Sequence, residues 1–305
     1  MTDTSNMSNT SKKAKPRISH NRRKSNRREF IRSAALTAGV ISLSLAGLYP
    51  VLSGASNRLR PPGAIKKRKD EQKFFAACIK CGQCVQVCPV DAIKLSDIDE
   101  GVGLGIPYID AREQACDFSC DGLQCVLACP TGALTHHLNY PADTRMGLAR
   151  LDKPEACLAV QGKGFKGQAR GADFKGVLRY SAIDRWHAIP VAQHPYDLEL
   201  CNLCVRQCPI EISIAQCVTK NKKLAEEKKA GTLARVAEEF GNECPPKHAI
   251  KLQAIKRTDD QGNTKLSMTP TILDGCVGCG VCEMICPLEN APAIVVDSDK
   301  ETNWS

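Results

Sequence analysis

Aromatic residues are scarce in this sequence: Phe, Trp and Tyr together make up 5% of its 305 residues. Aromatic side chains contribute much of the buried area in most domains of this length, so a large hydrophobic core is not expected. Some other kind of interaction must therefore stabilise the fold.

A nucleic-acid partner is also not expected, although the formal net charge is +9. Ten of the 42 Lys and Arg residues lie within residues 1–32, where the acidic residues are only Asp3 and Glu29. The remaining chain carries 32 basic and 31 acidic residues and is nearly neutral. A broad basic surface, the electrostatic signature of nucleic-acid binding, is therefore not predicted for the folded part.

Cysteine is the abundant residue, with 18 copies arranged in short runs. Clustering of this kind predicts metal ligation instead of a disulfide framework. Two runs, Cys78–Pro89 and Cys276–Pro287, share the spacing Cys-x2-Cys-x2-Cys-x3-Cys-Pro. Cys116–Pro130 is a looser variant with the same ending, and Cys201–Pro209 has three cysteines.

This spacing is typical of [4Fe–4S] ferredoxins. Three cysteines with two residues between each and the next can wrap three corners of a cluster. The Cys of the Cys-Pro pair then ligates the other cluster of a two-cluster fold. The main alternative is a zinc site, which usually takes two Cys pairs separated by a dozen or more residues. The runs do not match that arrangement, so the cysteines predict iron-sulfur clusters.

We predict four [4Fe–4S] clusters, each held by a set of four cysteines. The first set is Cys78, Cys81, Cys84 and Cys129. The second set is Cys88, Cys116, Cys120 and Cys125. The third set is Cys157, Cys201, Cys204 and Cys286. The fourth set is Cys208, Cys276, Cys279 and Cys282.

One ligand of the third set has three candidates, because the run Cys201–Pro209 lacks a first cysteine. The candidates are Cys157, Cys217 and Cys244, and we favour Cys157. The other two are then expected to be buried or unreactive thiols.

The N-terminus has the sequence pattern of an export signal. The twin-arginine pair Arg27–Arg28 precedes an uncharged stretch from Ser33 to Ser56, the pattern of a Tat signal peptide. Small residues at 53–55 predict cleavage after Ala55, with an uncleaved membrane anchor as the alternative. Because the Tat route exports proteins already folded around their cofactors, we expect a periplasmic protein, membrane-associated if the signal is retained.

The remaining chain predicts an α+β fold of two ferredoxin-like modules with short strands and helices and loop-rich insertions. Residues 56–70 are expected to be a linker, 71–148 the first two-cluster module, and 149–300 the second, with insertions near 163–200 and 213–247. Strands are predicted at 90–95, 131–135 and 293–297, a helix at 220–240, and a hairpin of 249–255 with 266–272.

The order of these features resembles the NapG-type ferredoxins of periplasmic nitrate reductase systems and, more distantly, the MauM ferredoxin-type proteins. The resemblance rests on the four cysteine runs and on Arg27–Arg28, Leu59–Ile65, Arg145–Ala149 and Cys157–Gly162. It implies four [4Fe–4S] clusters and supports Cys157 as a ligand. The two insertions set this chain apart.

The resemblance also implies a function. It predicts an electron-transfer protein that receives electrons from a NapH-like, quinol-oxidising membrane partner and passes them to a periplasmic acceptor such as a nitrate reductase or its cytochrome. One alternative is the electron-transfer subunit of another respiratory oxidoreductase, such as a dimethyl sulfoxide or formate system. Another is an enzyme that binds substrate at an incompletely ligated cluster, but Cys157 argues against this, and no catalytic grouping stands out.

Overall fold

The computed structural model describes residues 31–32, 34–39, 58–64, 70–97, 104–120, 122–138, 140–180, 187–229, 244–245, 247–258 and 264–298. Residues 31–32 and 34–39 are helical. From Val51 to Ser305 the chain forms one compact unit. The twin-arginine pair and the predicted cleavage site after Ala55 lie outside the described residues.

Besides the helical residues 31–32 and 34–39, the described chain contains six α-helices, and four of them are single turns. They are α1 (Asp70–Ala77), α2 (Gln83–Gln86), α3 (Gln124–Leu127), α4 (Leu203–Arg206), α5 (Pro209–Lys229) and α6 (Val281–Met284). Two short 3-10 helices, Pro141–Asp143 and Val191–Gln193, lie between them. No helix in these described ranges combines the length and apolar character needed to cross a membrane.

The strands are short and pair two by two. They are β1 (Lys94–Leu95), β2 (Pro107–Tyr108), β3 (Leu148–Leu151), β4 (Phe165–Gln168), β5 (Val177–Leu178), β6 (Ile189–Pro190), β7 (Pro195–Leu198), β8 (Ile250–Thr258), β9 (Thr264–Ile272) and β10 (Ile294–Asp297). All the described sheets are antiparallel pairs, namely β1–β2, β3–β10, β4–β7, β5–β6 and β8–β9. The mixed helix and strand content agrees with the predicted α+β class.

The β3–β10 pair joins the middle of the chain to its end. Ala149 is opposite Val296, and Leu151 is opposite Ile294. Ile294 and Val296 are buried in alternation with more exposed neighbours, as expected for a strand with one face on the core. The predicted module boundary at 148/149 falls at the start of this pairing.

The predicted hairpin is confirmed, and it is longer than expected. Strand β8 pairs with β9 over nine positions, from Ile250 opposite Ile272 to Thr258 opposite Thr264. Residues 259–263, which connect the two strands in sequence, lie outside the described residues.

Of the three strands predicted to follow cysteine runs, the one at 131–135 is wrong and the one at 90–95 is too long. Residues 131–135 form turns and bends, and in 90–95 only β1 is a strand. The backbone N–H groups needed for a ladder are used elsewhere: that of Leu134 donates to Cys129 Sγ and that of Ala92 to Cys88 Sγ. The third prediction is confirmed as β10.

The predicted linker is also partly wrong, because residues 58–64 belong to the folded unit. Leu59 and Ile109 exchange backbone hydrogen bonds of 3.2 and 2.7 Å, and both side chains are fully buried. The Arg60 guanidinium pairs with the Glu71 carboxylate at 3.0 Å. These long-range partners hold a Pro-rich segment whose composition alone predicts a flexible connection.

Helix α5 begins eleven residues before the predicted start at Lys220, at Pro209. Proline is favoured in the first turn of a helix because its missing N–H would have no helical partner there. Residues 230–240 of the predicted helix lie outside the described residues. The insertion near 163–200 is also more ordered than a loop, since it contains β4 to β7.

The hydrophobic core is built from aliphatic side chains and cysteines, with few aromatic rings. Leu59, Ile109, Leu203, Met284 and Ile285 are among the fully buried side chains. The same buried cluster contains cysteines of the second, third and fourth sets. Cys157 and Cys286 of the third set lie in a second, smaller buried cluster with Ala159 and Ala293.

Candidate iron-sulfur centres

The first set of cysteines surrounds a single cavity. Cys78, Cys81, Cys84 and Cys129 line a space of about 370 Å³, counted to its open mouth. Helix α1 ends directly before Cys78, whose N–H donates to the Phe74 carbonyl at 2.9 Å. Burial raises the pKa of Cys84 to about 11, and the neighbouring Cys78 thiol adds to this rise.

The second set is brought together between the first two runs. The pKa of Cys125 is raised to about 12, mainly by burial and in addition by the charges of Cys120 and Cys88. Burial and the charge of Cys125 also raise the pKa of Cys116. All four sulfurs therefore lie within electrostatic reach of one another through Cys125 and Cys120.

The third and fourth sets line two neighbouring cavities. Cys157, Cys201, Cys204 and Cys286 line one of about 370 Å³, and Cys208, Cys276, Cys279 and Cys282 line another of about 360 Å³, both counted to the open mouth. The cavities lined by the first, third and fourth sets are therefore similar in volume. The structure therefore places Cys157 with the three-cysteine run.

Each three-cysteine loop ends in a single helical turn. Helices α2, α3, α4 and α6 each carry a cysteine as their second residue: Cys84, Cys125, Cys204 and Cys282. Gly280 begins α6 with a φ of 91°, and a β-carbon there would approach that of Ala111 to 2.6 Å. Glycine at this position lets the loop turn sharply against the segment that leads to Cys116.

Three of the four Cys-Pro pairs share one hydrogen-bond pattern, which sequence reasoning did not predict. After the proline the backbone turns back and its N–H donates to the cysteine sulfur. These bonds are Ala92 to Cys88 at 3.3 Å, Leu134 to Cys129 at 3.4 Å and Ala293 to Cys286 at 3.3 Å. Such bonds stabilise the thiolate form, the form that binds metal.

The cysteine sets fit [4Fe–4S] clusters. Burial raises the pKa of Cys201 to about 11 and that of Cys208 to about 12, so thiolates in these cavities need a compensating positive charge. Iron supplies that charge in a cluster with four thiolate ligands. Among the described side chains, no group of three or more His, Cys, Asp or Glu is placed to hold a metal ion. The cysteines line cavities, the arrangement that a cluster requires.

The four sets follow one another in a defined spatial order. The Cys84 charge of the first set acts on Cys125 of the second. Cys116 of the second set donates its N–H to the carbonyl of Cys279 of the fourth, at 3.3 Å. Cys282 of the fourth set also lines the cavity of the third. The order in space is therefore first, second, fourth and third.

The expectation that Cys217 and Cys244 are free thiols is wrong, because they form a disulfide with a Cα–Cα distance of 5.6 Å. It joins helix α5 to the segment before β8 and closes a loop of sequence separation 27. The Asn221 side-chain amide lies 3.4 Å from Cys244 Sγ. Two cysteines remaining after four sets of four was the signal that could have indicated this pair.

Two parts of the chain match models of known iron-sulfur domains. Residues 77–133 match the 4Fe-4S dicluster domain, and residues 273–293 match a 4Fe-4S binding domain. The first match spans the runs that provide the first and second sets. No solved structure matches the chain significantly.

Curated relatives match most of the chain. The ferredoxin-type protein NapG of Escherichia coli K12 is 32% identical over 275 residues, covering 88% of this chain and 84% of that protein. NapG of Haemophilus influenzae is 30% identical over 90% of this chain and 72% of that protein. The methylamine utilization ferredoxin-type protein MauM of Paracoccus denitrificans is 37% identical over 61% of this chain and 84% of that protein.

The cysteine sets and the matched domains define a ferredoxin-type iron-sulfur protein that works in electron transfer. Identity to the curated relatives over most of the chain defines the group more closely. The chain belongs to the family of NapG and MauM ferredoxin-type proteins.

Proposed function

We propose that the protein holds four [4Fe–4S] clusters on its four cysteine sets, two in each of two ferredoxin-like modules. In this proposal it relays electrons from a NapH-like, quinol-oxidising membrane partner to a periplasmic acceptor such as a nitrate reductase or its cytochrome. A [4Fe–4S] cluster supplies one-electron transfer when bound. The observation that carries the proposal is the contact between successive cysteine sets, since electron transfer in series requires short gaps.

The residues of the chain hold and separate the redox sites. Backbone contacts fix the gap between the second and fourth sets, where Cys116 bonds to Cys279 and the Met146 N–H donates to the Val277 carbonyl at 2.9 Å. Met284 lies between the same segments and accepts the Ala115 N–H through its sulfur at 3.2 Å. Buried side chains at this junction exclude water from the gap.

The two ends of this series differ in exposure. In the first set Cys81 is exposed, and the adjacent Ile79 retains 62% of its accessible surface. In the third set Cys157, Cys201 and Cys286 are all buried. A redox partner can therefore approach most closely at the first set, which supports its assignment as one terminus of the relay.

The disulfide supports the proposed location. Disulfides form and persist in oxidising compartments and are rare in the cytoplasm. A periplasmic protein exported by the predicted Tat signal would assemble its clusters in the reducing cytoplasm and then form the Cys217–Cys244 bond after export. The two kinds of cysteine site are thus compatible in one chain.

Two measurements on anaerobically purified full-length protein test the proposal. Iron and acid-labile sulfide should each be present at about sixteen per chain, with interacting [4Fe–4S] signals in the reduced-state EPR spectrum. Membrane vesicles containing the quinol-oxidising partner should reduce the protein when quinol is added, and vesicles without it should not. Zinc without sulfide, or no difference between the two kinds of vesicle, would overturn the proposal.

A further inference from the structure

Arg112 bonds the segment before the second cysteine run to the segment around Cys286. Its Nη1 donates to the carbonyls of Glu283 at 2.7 Å and Cys286 at 3.1 Å, and its Nη2 donates to the carbonyl of Leu288. Arg112 precedes the second cysteine run, whereas its acceptors surround Cys286 of the third set. One half-buried guanidinium therefore binds the backbone on both sides of Cys286.

Arg170 reinforces this contact from the insertion near 163–200. Its Nη1 donates to the carbonyls of Arg112 and Met284, both at 3.0 Å. Its guanidinium also stacks over the Phe174 ring, with 4.2 Å between Cζ and the ring centroid. Since every one of these partners is neutral, neither guanidinium is neutralised by a direct ion pair among the hydrogen bonds described.

The nearest acidic groups offset only part of this positive charge. Glu283 acts electrostatically on both arginines, but its carboxylate accepts the Val296 N–H at 2.7 Å and burial raises its pKa. Asp110 accepts the backbone N–H of Arg112 at 3.0 Å. Burial lowers the pKa of both arginines, while the negative charge of Cys286 opposes that effect, so both guanidinia lie within electrostatic reach of this sulfur.

We propose that Arg112 and Arg170 raise the reduction potential of the redox site at the third cysteine set by fixing two positive charges beside Cys286. They are positioning residues, since they bind the backbone around the cysteine Cys286 and not the redox site itself. This inference rests on the proposed function. It gives the inserted segment a role that the cysteine pattern does not show.

The physical basis is charge balance in a poorly solvated site. Reduction adds one negative charge to the third set, and an arginine remains protonated across the whole working pH range. Fixed positive charges nearby stabilise the reduced state and so favour electron uptake. The carbonyl contacts keep the guanidinia from turning toward solvent, where water and ions would screen their charge.

An EPR-monitored redox titration of the full-length, cluster-loaded protein tests this proposal. The signal that Cys157→Ser removes identifies the third set. Arg112→Gln and Arg170→Gln should each lower that midpoint, with a change of about tenfold in the reduction equilibrium constant, or about 59 mV for one electron. Arg112→Lys and Arg170→Lys keep the positive charge, so their midpoints should stay close to that of the unmodified protein.

A matched control removes the same charge elsewhere in the insertion. Lys166 is exposed and pairs with Asp197 at 2.9 Å, so Lys166→Gln should leave every midpoint unchanged. Unchanged midpoints in both Arg→Gln variants with full iron content would overturn the proposal, as would equal shifts in the Gln and Lys variants. If Arg112→Gln loses iron, the midpoints of Arg170→Gln and Arg170→Lys test the proposal on their own. Lack of iron and sulfide in the unmodified protein would instead overturn the proposed function.

Discussion

The backbone N–H of Cys116 donates a 3.3 Å hydrogen bond to the carbonyl oxygen of Cys279. This bond joins a run in the first half of the chain to a run near its end. The neighbouring bond from the Met146 N–H to the Val277 carbonyl, at 2.9 Å, extends the same junction. The two predicted modules therefore share a backbone interface at the inner cysteine sets, and substitutions there should affect both.

Gly278 is the residue at this junction that tolerates a side chain least. Its φ is 71°, and a β-carbon would overlap the backbone of Gly147, which cannot move aside as a flexible side chain can. We expect Gly278→Ala to lower the free energy of unfolding by about 3 kcal/mol, from the left-handed conformation and the overlap together. Thermal unfolding followed by circular dichroism, with iron release measured in parallel, checks this.

Gly122→Ala is the matched control. Gly122 also has a positive φ, 97°, but no atom lies within 4 Å of the position that its β-carbon would take. Only the backbone penalty of about 1–2 kcal/mol is then expected. Equal losses for the two variants would show that the contact with Gly147 does not matter.

Cys157 provides the sharpest test of the third cysteine set. We expect Cys157→Ser to lose one cluster, so iron and sulfide should both fall by about a quarter, since one thiolate of four is replaced by a poorer ligand. Cys217→Ser is the control, because Cys217 lies in the disulfide and lines none of the three cysteine cavities. Full iron content in Cys157→Ser would remove this residue from the ligand set.

The cysteine runs could be predicted because their signals are local, whereas the sharing of a cysteine between distant runs, such as Cys129 in the first set, follows the two-cluster ferredoxin pattern. Spacings of two and three residues and a following proline are visible within a dozen positions, and the structure brings together the same sets. The hairpin could be predicted for a similar reason: two apolar stretches flank a polar segment at 259–263. The start of α5 also had a local signal, Pro209 with Glu211 in the first turn, but it overlaps a cysteine run.

The features that could not be predicted depend on partners that are distant in sequence. Leu59 is buried because its backbone pairs with Ile109, and nothing in the Pro-rich segment itself indicates this. The apolar residues at 131–135 resemble a strand, yet the Thr135 N–H bonds to the Gly63 carbonyl at 3.0 Å and that of Leu134 to Cys129. Arg112 and Arg170 look like ordinary surface arginines until the fold brings them to Cys286.

Glu211 anchors the start of α5 to strand β8. Its Oε1 accepts the N–H groups of Ala249 at 2.7 Å and Ile250 at 3.2 Å, and its Oε2 lies 2.8 Å from His248 Nδ1. Both donor residues are buried, so Glu211→Ala leaves two N–H groups without a partner and should destabilise the protein by about 2–4 kcal/mol. Urea unfolding followed by circular dichroism measures this loss.

Two further variants separate the hydrogen bonds from the general effect of changing α5. Glu211→Gln keeps an acceptor oxygen and should cost about 1 kcal/mol. Glu226 is exposed on the same helix, so Glu226→Ala should change stability by less than about 0.5 kcal/mol. A loss in Glu226→Ala as large as that in Glu211→Ala would contradict the anchoring role.

The Cys217–Cys244 disulfide should stabilise the protein without affecting the cysteine sets. Closing a loop of sequence separation 27 removes conformational entropy from the unfolded chain and is worth about 3.5 kcal/mol. The double variant Cys217→Ser with Cys244→Ser should therefore unfold at a lower temperature than the oxidised protein but keep its full iron and sulfide content. A mild reductant should lower the unfolding temperature of the unmodified protein toward that of the variant and leave the variant unchanged. If the variant instead loses iron, these cysteines belong to a cluster site; if it unfolds at the same temperature as the oxidised protein, the bond has no stabilising role.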